Sequence, residues 1–333
     1  MNLFRYPVIL IFFFVLFAIA FFSRDLISSF NSNVVKEVTS DKELPKDFGS
    51  ISLYFCPLDD CETILSETLR AHEDIDSRFF DLDLQSVISV LKEKKARLVI
   101  DHDNTDELSD FEFKVDDRAA FMHNKFCILD DSTVISGSMN PTINDATKNN
   151  NNLVIIESKI LAENYEKEFE ELWTGIFGSG EKVSNSQLYF NGFLIENYFC
   201  PDDSCEEQVL RILQSAEKRI YFLTFSFTSD ILGEEIIKNF HYGIDVQGVF
   251  DNTQAGNKYS EFHKMGELGM NVKRDANPKF LHHKVFIVDD TVILGSYNPT
   301  QSGNKENDEN ILIIHDSNVA ERFVEEFYRI WNL

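Results

Sequence analysis

The sequence predicts an α/β fold built from two internally repeated lobes, because the same kinds of segment occur twice in the same order. Each copy starts with an extended run, a Cys-x4-Cys loop and an amphipathic helix, at "YFCPLDDCE" and "YFCPDDSCEE". Short apolar runs of strand character follow, and each copy closes with a helix whose aromatic residues lie four apart, ending at Trp173 and Trp331. Strands that alternate with helices predict a mixed or mostly parallel sheet in each copy.

The repeat also sets the predicted domain boundaries. The first lobe is expected over residues 50–176 and the second over 195–333. A Gly- and Ser-containing linker, 177–194, joins them, and residues 25–49 are expected to form a polar stalk.

Residues 1–24 are expected to enter a membrane. The run "YPVILIFFFVLFAIAFF" carries no charge and lies between two arginines. It is short for a bilayer span, and its "AIA" is a pattern that a signal peptidase could cut. An anchor is favoured over a cleaved signal peptide because the apolar run continues past "AIA". The rest of the chain is then expected outside the cytoplasm, anchored to the membrane or, if the segment is cleaved, secreted.

Charge and cysteine usage limit the partners and the compartment. With 56 acidic and 31 basic side chains, the formal charge is -25, which disfavours nucleic acid as a partner without excluding it. The cysteines Cys56 and Cys61, and likewise Cys200 and Cys205, have the spacing of a small disulfide loop before a helix. A four-cysteine zinc site is the alternative, and Cys127 is expected to be a buried free thiol.

One cluster of phosphate-seeking side chains occurs in both copies, as "FMHNKFCILDDSTVISGSMNP" and "LHHKVFIVDDTVILGSYNP". On a strand, a His and a Lys two residues apart point to the same face. The Asp-Asp that follows predicts a turn, and the returning strand would place Gly-Ser-x-Asn beside the His and Lys. Each copy therefore predicts a hairpin that carries half of a site.

Two such halves face to face would surround one point with two imidazoles, two ammonium groups and two amides. That set suits a phosphodiester. One neutral His can attack phosphorus while the other donates a proton to the leaving oxygen, and Lys and Asn hold the remaining oxygens. The Asn amide can donate to an anionic oxygen without a metal.

These motifs resemble the signature of the phospholipase D superfamily, His-x-Lys-x4-Asp followed by Gly-Ser-x-Asn. The matching residues are His123, Lys125, Asp130, Gly137, Ser138 and Asn140 in the first copy, and His282, Lys284, Asp289, Gly295, Ser296 and Asn298 in the second. The resemblance covers most of residues 50–333. It implies a two-lobed α/β/α-type sandwich with the active site at the lobe interface, a phosphohistidine intermediate and no metal cofactor. By the same resemblance, Lys and Asn bind phosphate, and the motif Asp, Gly and Ser are structural.

Members of the family commonly carry Asn-x-Glu after this motif, and the two copies differ there. The second copy has Asn307, Asp308 and Glu309, whereas the first has an amide, Asn151, in place of the carboxylate. If these side chains orient the histidine of their own copy, Glu309 raises the pKa of His282. We therefore expect His123 to be the nucleophile and His282 the general acid.

The motif indicates the reaction more closely than the substrate. The superfamily includes phospholipases, phosphatidyl transferases such as cardiolipin synthases, and nucleases. The expected membrane segment, the negative charge and the absence of a basic, aromatic-interleaved stripe favour hydrolysis of phospholipid headgroups. A metal-independent endonuclease, a phosphatidyl transferase and a non-enzymatic phosphate-binding surface protein stay open. Because one chain carries both motifs, a monomer suffices for the site.

Overall fold

Two mixed β-sheets form the framework of the protein. The computed structural model describes residues 43–102, 108 and 113–333. The predicted membrane segment, 1–24, and most of the predicted stalk lie outside these residues. Within the part of the chain that is described, no helix has the length and apolar character needed to cross a membrane.

The first lobe has a seven-stranded sheet in the order β2-β8-β7-β6-β3-β4-β5. Its strands are β2 (Ile51–Cys56), β3 (Ile75–Phe79), β4 (Arg97–Asp101), β5 (Phe113–Asp116), β6 (Phe126–Leu129), β7 (Thr133–Gly137) and β8 (Asn151–Glu157). Its helices are α1 (Cys61–Arg70), α2 (Gln85–Lys94), α3 (Ile143–Thr147) and α4 (Lys159–Trp173).

The second lobe has a nine-stranded sheet in the order β1-β9-β10-β16-β15-β14-β11-β12-β13. Its strands are β1 (Lys46–Asp47), β9 (Gln187–Phe190), β10 (Phe193–Cys200), β11 (Arg219–Thr224), β12 (Asp245–Phe250), β13 (Asn271–Arg274), β14 (Lys284–Val288), β15 (Thr291–Gly295) and β16 (Glu309–His315). Its helices are α5 (Cys205–Gln214), α6 (Asp230–His241), α7 (Glu261–Glu267), α8 (Gln301–Lys305) and α9 (Ser317–Trp331), with a short 3₁₀ turn at Gln254–Gly256.

The two sheets repeat one topology. In each lobe an antiparallel hairpin, β6–β7 or β14–β15, carries the motif and pairs on one side with a run of parallel strands, β3–β4–β5 or β11–β12–β13. The sheets are thus mixed, and the motif strands themselves are antiparallel. The second sheet is longer because the hairpin β9–β10 adds a strand from the predicted linker, and β1 extends it with residues from the end of the predicted stalk.

Three apolar cores define the layers. The outer core of the first lobe packs α1 and α2 on one face of its sheet, and the outer core of the second lobe packs α5, α6 and α7 on its own sheet. A third core lies between the sheets and holds α4 and α9, including Tyr165, Phe169, Phe323 and Phe327. The predicted α/β/α-type arrangement is therefore confirmed, and the two lobes share their inner face.

Each lobe carries one disulfide at the start of its first helix. Cys56–Cys61 and Cys200–Cys205 join Cα atoms that are 5.9 and 5.7 Å apart. Because the two pairs are bonded within separate lobes, the four-cysteine zinc site is wrong. Cys127 is buried and free, as expected.

Alanine at all four disulfide cysteines is expected to lower the free energy of unfolding by about 2 kcal/mol for each loop, since such cross-links restrict the unfolded chain. Urea denaturation with and without a reductant measures this. The reductant should destabilise the parent and leave the variant unchanged. Equal midpoints for the oxidised parent and the variant would contradict the prediction.

Candidate active site

A cleft between the lobes collects the residues that the motifs predicted. Its volume is about 460 Å³, and its walls include His123, Asn140, His282 and Asn298. Both motif histidines are more than nine-tenths buried. The structure therefore brings the two half-sites together in one chain.

The histidines lie just before strands β6 and β14, not within them as the motif pattern predicted. The reason is that their backbone amides bond to the opposite lobe. The amide of His123 donates to the Asp308 carbonyl oxygen at 2.9 Å, and the amide of His282 donates to the Asn150 carbonyl oxygen at 2.9 Å. Each half-site is thus fastened to the segment before β8 or β16 of the other copy.

The histidine–carboxylate pairing is crossed between the lobes. His123 Nδ1 lies 2.8 Å from Glu309 Oε2, and that oxygen also accepts a bond from Ser296 Oγ at 2.7 Å. The expectation that Glu309 orients His282 is therefore wrong. The cause is the backbone hydrogen bond from the His123 amide to the Asp308 carbonyl oxygen, which places His123 beside Glu309, the next residue in the chain.

His282 is held by two side chains of the first lobe. Its Nδ1 lies 3.1 Å from Asn151 Oδ1 and 3.3 Å from Asp145 Oδ2. We had expected Asn151 to contact His123, but it contacts His282. Asp145 was not among the predicted site residues. Its signal in the sequence is a repeat position where the second copy has Gly303.

The two motif lysines lie buried behind the histidines. Lys125 Nζ donates to the His123 carbonyl oxygen at 2.7 Å, and Lys284 Nζ donates to the His282 carbonyl oxygen at 2.8 Å. Burial lowers the pKa of Lys125 to about 8, and burial together with the Lys125 charge lowers the pKa of Lys284 well below its usual range. An anionic ligand in the cleft would stabilise the charged form of both lysines, which burial opposes.

Burial sets the remaining pKa values. It lowers the pKa of His123 well below the usual range, and the charges of Lys125 and Lys284 add to that effect. Burial and the Lys284 charge also lower the pKa of His282, whereas Asp145 opposes that shift. Burial raises the pKa of Glu309 to about 7, against the attraction of Lys125. Burial therefore opposes the charged form of both partners in the His123–Glu309 contact.

Each Gly-Ser-x-Asn segment brings its asparagine, Asn140 or Asn298, to the lining of the cleft. Gly137 and Gly295 have φ values of 135° and 144°, and a Cβ there would lie 2.4 and 2.2 Å from a backbone oxygen of β8 or β16. Only glycine allows this approach. Asn140 donates from Nδ2 to Asp145 Oδ2 at 3.0 Å, and Asn298 Oδ1 accepts from the Ser226 amide at 3.4 Å.

The serines of this segment differ in their contacts. Ser138 Oγ accepts from the backbone amide of Asn152 at 3.1 Å, whereas Ser296 Oγ contacts Glu309 as well as the Asn310 amide. Ser296 thus helps to orient the carboxylate that holds His123.

The motif aspartates lie at the turns of the hairpins, away from the cleft lining. Asp130 Oδ1 accepts from the Glu73 and Asp74 amides, and Asp289 accepts from the amides of residues 217–219. These contacts fix the hairpin to the preceding loop, the kind of role expected for both residues.

Four phenylalanines, here called the aromatic rim, line the cleft in two equivalent pairs. Phe80 packs edge-on against His123 and Phe121, and Phe225 does the same with His282 and Phe280. The outer members, Phe121 and Phe280, are 40% and 44% exposed. The mouth of the cleft therefore presents apolar side chains to solvent.

The cleft is poor in positive charge at its surface. Among the described residues, those that line it include no Lys or Arg, while Asp81, Asp83 and Asp145 do line it. No group of three or more His, Cys, Asp or Glu in the described ranges could hold a metal ion.

Two carboxylate-held histidines and two lysines around one cleft have the chemistry of a phosphodiester-cleaving site. Comparison with known proteins agrees. A family described as "Cardiolipin synthase, PLD-like domain" matches residues 66–173 and 209–331. The chain therefore belongs to the phospholipase D superfamily.

Individual relatives match part of the chain. A phospholipase D of Rickettsia prowazekii is 26% identical over 153 residues, which cover 44% of this chain and 75% of the relative. The human mitochondrial cardiolipin hydrolase is 33% identical over 130 residues, covering 39% of this chain and 52% of the relative.

Among solved structures, phosphatidylserine synthase of Haemophilus influenzae is similar in fold. Its TM-score is 0.63 at 14% identity, covering 86% of this chain and 88% of that one. Nuc of Salmonella typhimurium, a phospholipase D family member, is 29% identical with a TM-score of 0.39, covering 41% of this chain and 93% of that one.

Proposed function

We propose that this protein hydrolyses the headgroup ester of a membrane phospholipid as a phospholipase D-type phosphodiesterase. The cleft carries the proposal, since both motif histidines and both motif asparagines line it and its mouth is apolar, while each motif lysine is buried and contacts the histidine of its own motif.

In the proposed reaction the Nε2 lone pair of neutral His123 forms a bond to phosphorus while the bond to the headgroup oxygen breaks. The leaving oxygen takes a proton from Nε2 of His282. Lys125 and Lys284 offset the charge on the other phosphoryl oxygens. Water then attacks phosphorus and gives a proton to His282, and the phosphorus–nitrogen bond breaks to return its electrons to His123.

The rim favours lipid over nucleic acid. Phe121 and Phe280 can contact the apolar part of a lipid, and the aspartates at the mouth repel a polyanion. A nucleic-acid groove would need cations along the path of the strand, and none is found among the described lining residues.

We also infer that the chain works outside the cytoplasm, held by its N-terminal apolar segment or secreted after cleavage. Two disulfides are typical of an oxidising compartment. Protease added to intact cells should degrade the folded region of an anchored form, and full protection in cells that lack the secreted form would contradict this.

The full-length protein in mixed vesicles of zwitterionic and anionic phospholipids, in EDTA, is expected to release phosphatidic acid. Adding ethanol tests whether an alcohol also accepts the phosphatidyl group, which would yield phosphatidylethanol. The matched variants are His123→Ala and His263→Ala, since His263 is exposed and lies outside the cleft lining.

Release by the parent and by His263→Ala, with loss in His123→Ala, is the expected result. No release from folded parent protein, together with cleavage of a single-stranded oligonucleotide, would replace the lipid proposal with the nuclease. Phosphate-ligand binding without turnover of either substrate would favour the non-enzymatic protein.

A further inference from the structure

The two copies place a carboxylate at different points of the same structural unit. Helices α3 and α8 are equivalent, because Thr142 and Thr300 cap them in the same way, each accepting from the amide three residues on. That third position is Asp145 in one copy and Gly303 in the other. Six residues later, the amide Asn151 corresponds to the carboxylate Glu309.

Each copy thus has one carboxylate at these two positions, Asp145 in the first and Glu309 in the second, and each motif histidine has one buried carboxylate beside it. A Cβ at Gly303 would lie 2.3 Å from the Asn298 carbonyl oxygen, so the second copy has no room for a side chain there. Glu309 and Asp145 are both at least 97% buried, and each contacts Nδ1 of a histidine in the opposite lobe.

We propose that Asp145 is a positioning residue that keeps His282 in the role of proton donor to the leaving group. Asp145 lies on α3 and supplies the carboxylate that the first copy lacks on β8, where Asn151 stands at the position of Glu309. The inference rests on the proposed phosphodiester chemistry and does not depend on the lipid substrate.

The charges around His282 explain why a carboxylate is needed. Lys284 on its own segment, and Lys125 and His123 across the cleft, all oppose a positive imidazolium. Asp145 is the acidic group in contact with it. Burial alone would raise the pKa of Asp145, but the His282 charge and the hydrogen bonds that Asp145 accepts keep that pKa well below its usual range.

A second role of Asp145 must be separated from this one. Its Oδ2 also accepts from the Asn140 amide at 2.7 Å and from Asn140 Nδ2 at 3.0 Å, and Asn140 is expected to bind phosphate. Loss of phosphate binding would slow every substrate, whereas loss of the proton donor slows only those with a poor leaving group.

The test compares two soluble diesters, one that releases p-nitrophenolate and one that releases a simple alkoxide. For Asp145→Asn we expect the alkyl diester to lose about 10²- to 10³-fold in kcat/KM and the activated diester to change by less than about tenfold. Equal losses on both diesters would overturn the proposal, because they indicate a purely structural or phosphate-binding role.

A transplant provides the matched rescue. Asp145→Gly alone should behave like Asp145→Asn, and Asp145→Gly with Asn151→Glu copies the Gly303 and Glu309 arrangement into the first lobe. The double variant is expected to regain at least about tenfold on the alkyl diester. Failure of a folded double variant to exceed Asp145→Gly would contradict the proposal.

A measurement that needs no activity completes the test. Histidine-selective NMR, with the His282 signal assigned from a His282→Gln sample, follows protonation of this imidazole against pH. Its midpoint should fall in Asp145→Asn, and an unchanged midpoint would overturn the inference. If the parent cleaves neither diester, the proposed function fails. The NMR titration still shows whether Asp145 stabilises the protonated form of His282.

Discussion

Alanine at His123 is expected to reduce turnover by a factor on the order of 10⁴ to 10⁶, because His123 is the residue assigned to form the covalent intermediate. Alanine at His282 should also stop turnover, yet it should still allow His123 to be phosphorylated by the p-nitrophenyl diester, whose leaving group needs no proton. Rapid quenching and peptide mass spectrometry locate the adduct.

The location of the adduct decides the roles of the two histidines. We expect the phosphoryl group on the peptide that contains His123, and its accumulation in His282→Ala, where hydrolysis lacks a base. An adduct on His282 in the parent would reverse the assignment. Because the crossed pairing removed the original reason for it, the assignment now rests on the low pKa of His123 and on the contact of His282 with Asp145.

Glutamine at Glu309 is expected to lower kcat by up to about 10⁴, the loss seen when a buried carboxylate that orients a catalytic histidine becomes an amide. The ionised carboxylate fixes the proton on His123 Nδ1 and leaves Nε2 free to attack. Since burial raises the pKa of Glu309 to about 7, kcat/KM of the parent should rise as pH increases through about 7.

Glu326 offers a matched control for this substitution. It forms another buried histidine–carboxylate contact, with His283 Nε2 at 3.2 Å, outside the cleft lining. Glu326→Gln should affect stability and leave kcat of the folded enzyme within about threefold. An equal loss of kcat in both variants would contradict the role given to Glu309. So would a Glu309→Gln variant whose kcat/KM still rises with pH through about 7 as it does in the parent.

Much of the fold was predictable because the chain contains the same information twice. The periodic apolar runs and the paired Cys loops fixed the order of elements, and the disulfides formed where those loops indicated. The sequence did not indicate that residues 187–190 and 46–47 extend the second sheet. Strand addition at an edge depends on which backbone donors remain unpaired, and that is a property of the assembled sheet.

The site was predictable in its members but not in its pairing. His123 and His282 line one cleft, as the motifs predicted, and each motif lysine contacts the carbonyl oxygen of its own histidine. The partner of each histidine depends on contacts between residues more than 130 apart, and no local pattern specifies those. The position of Asp145 opposite Gly303 is a weak signal, because the copies differ at eight of the nine positions from 143 to 151.

The crossed contacts also bear on how division of labour arises. A single copy of this unit could complete the same site only beside an identical copy, and two identical histidines could then differ only in which side of the substrate each one faced. Joining the copies in one chain lets substitutions accumulate on one side alone. The attacking histidine and the protonating histidine are then encoded at different positions of one gene, and a substitution near one need not alter the other.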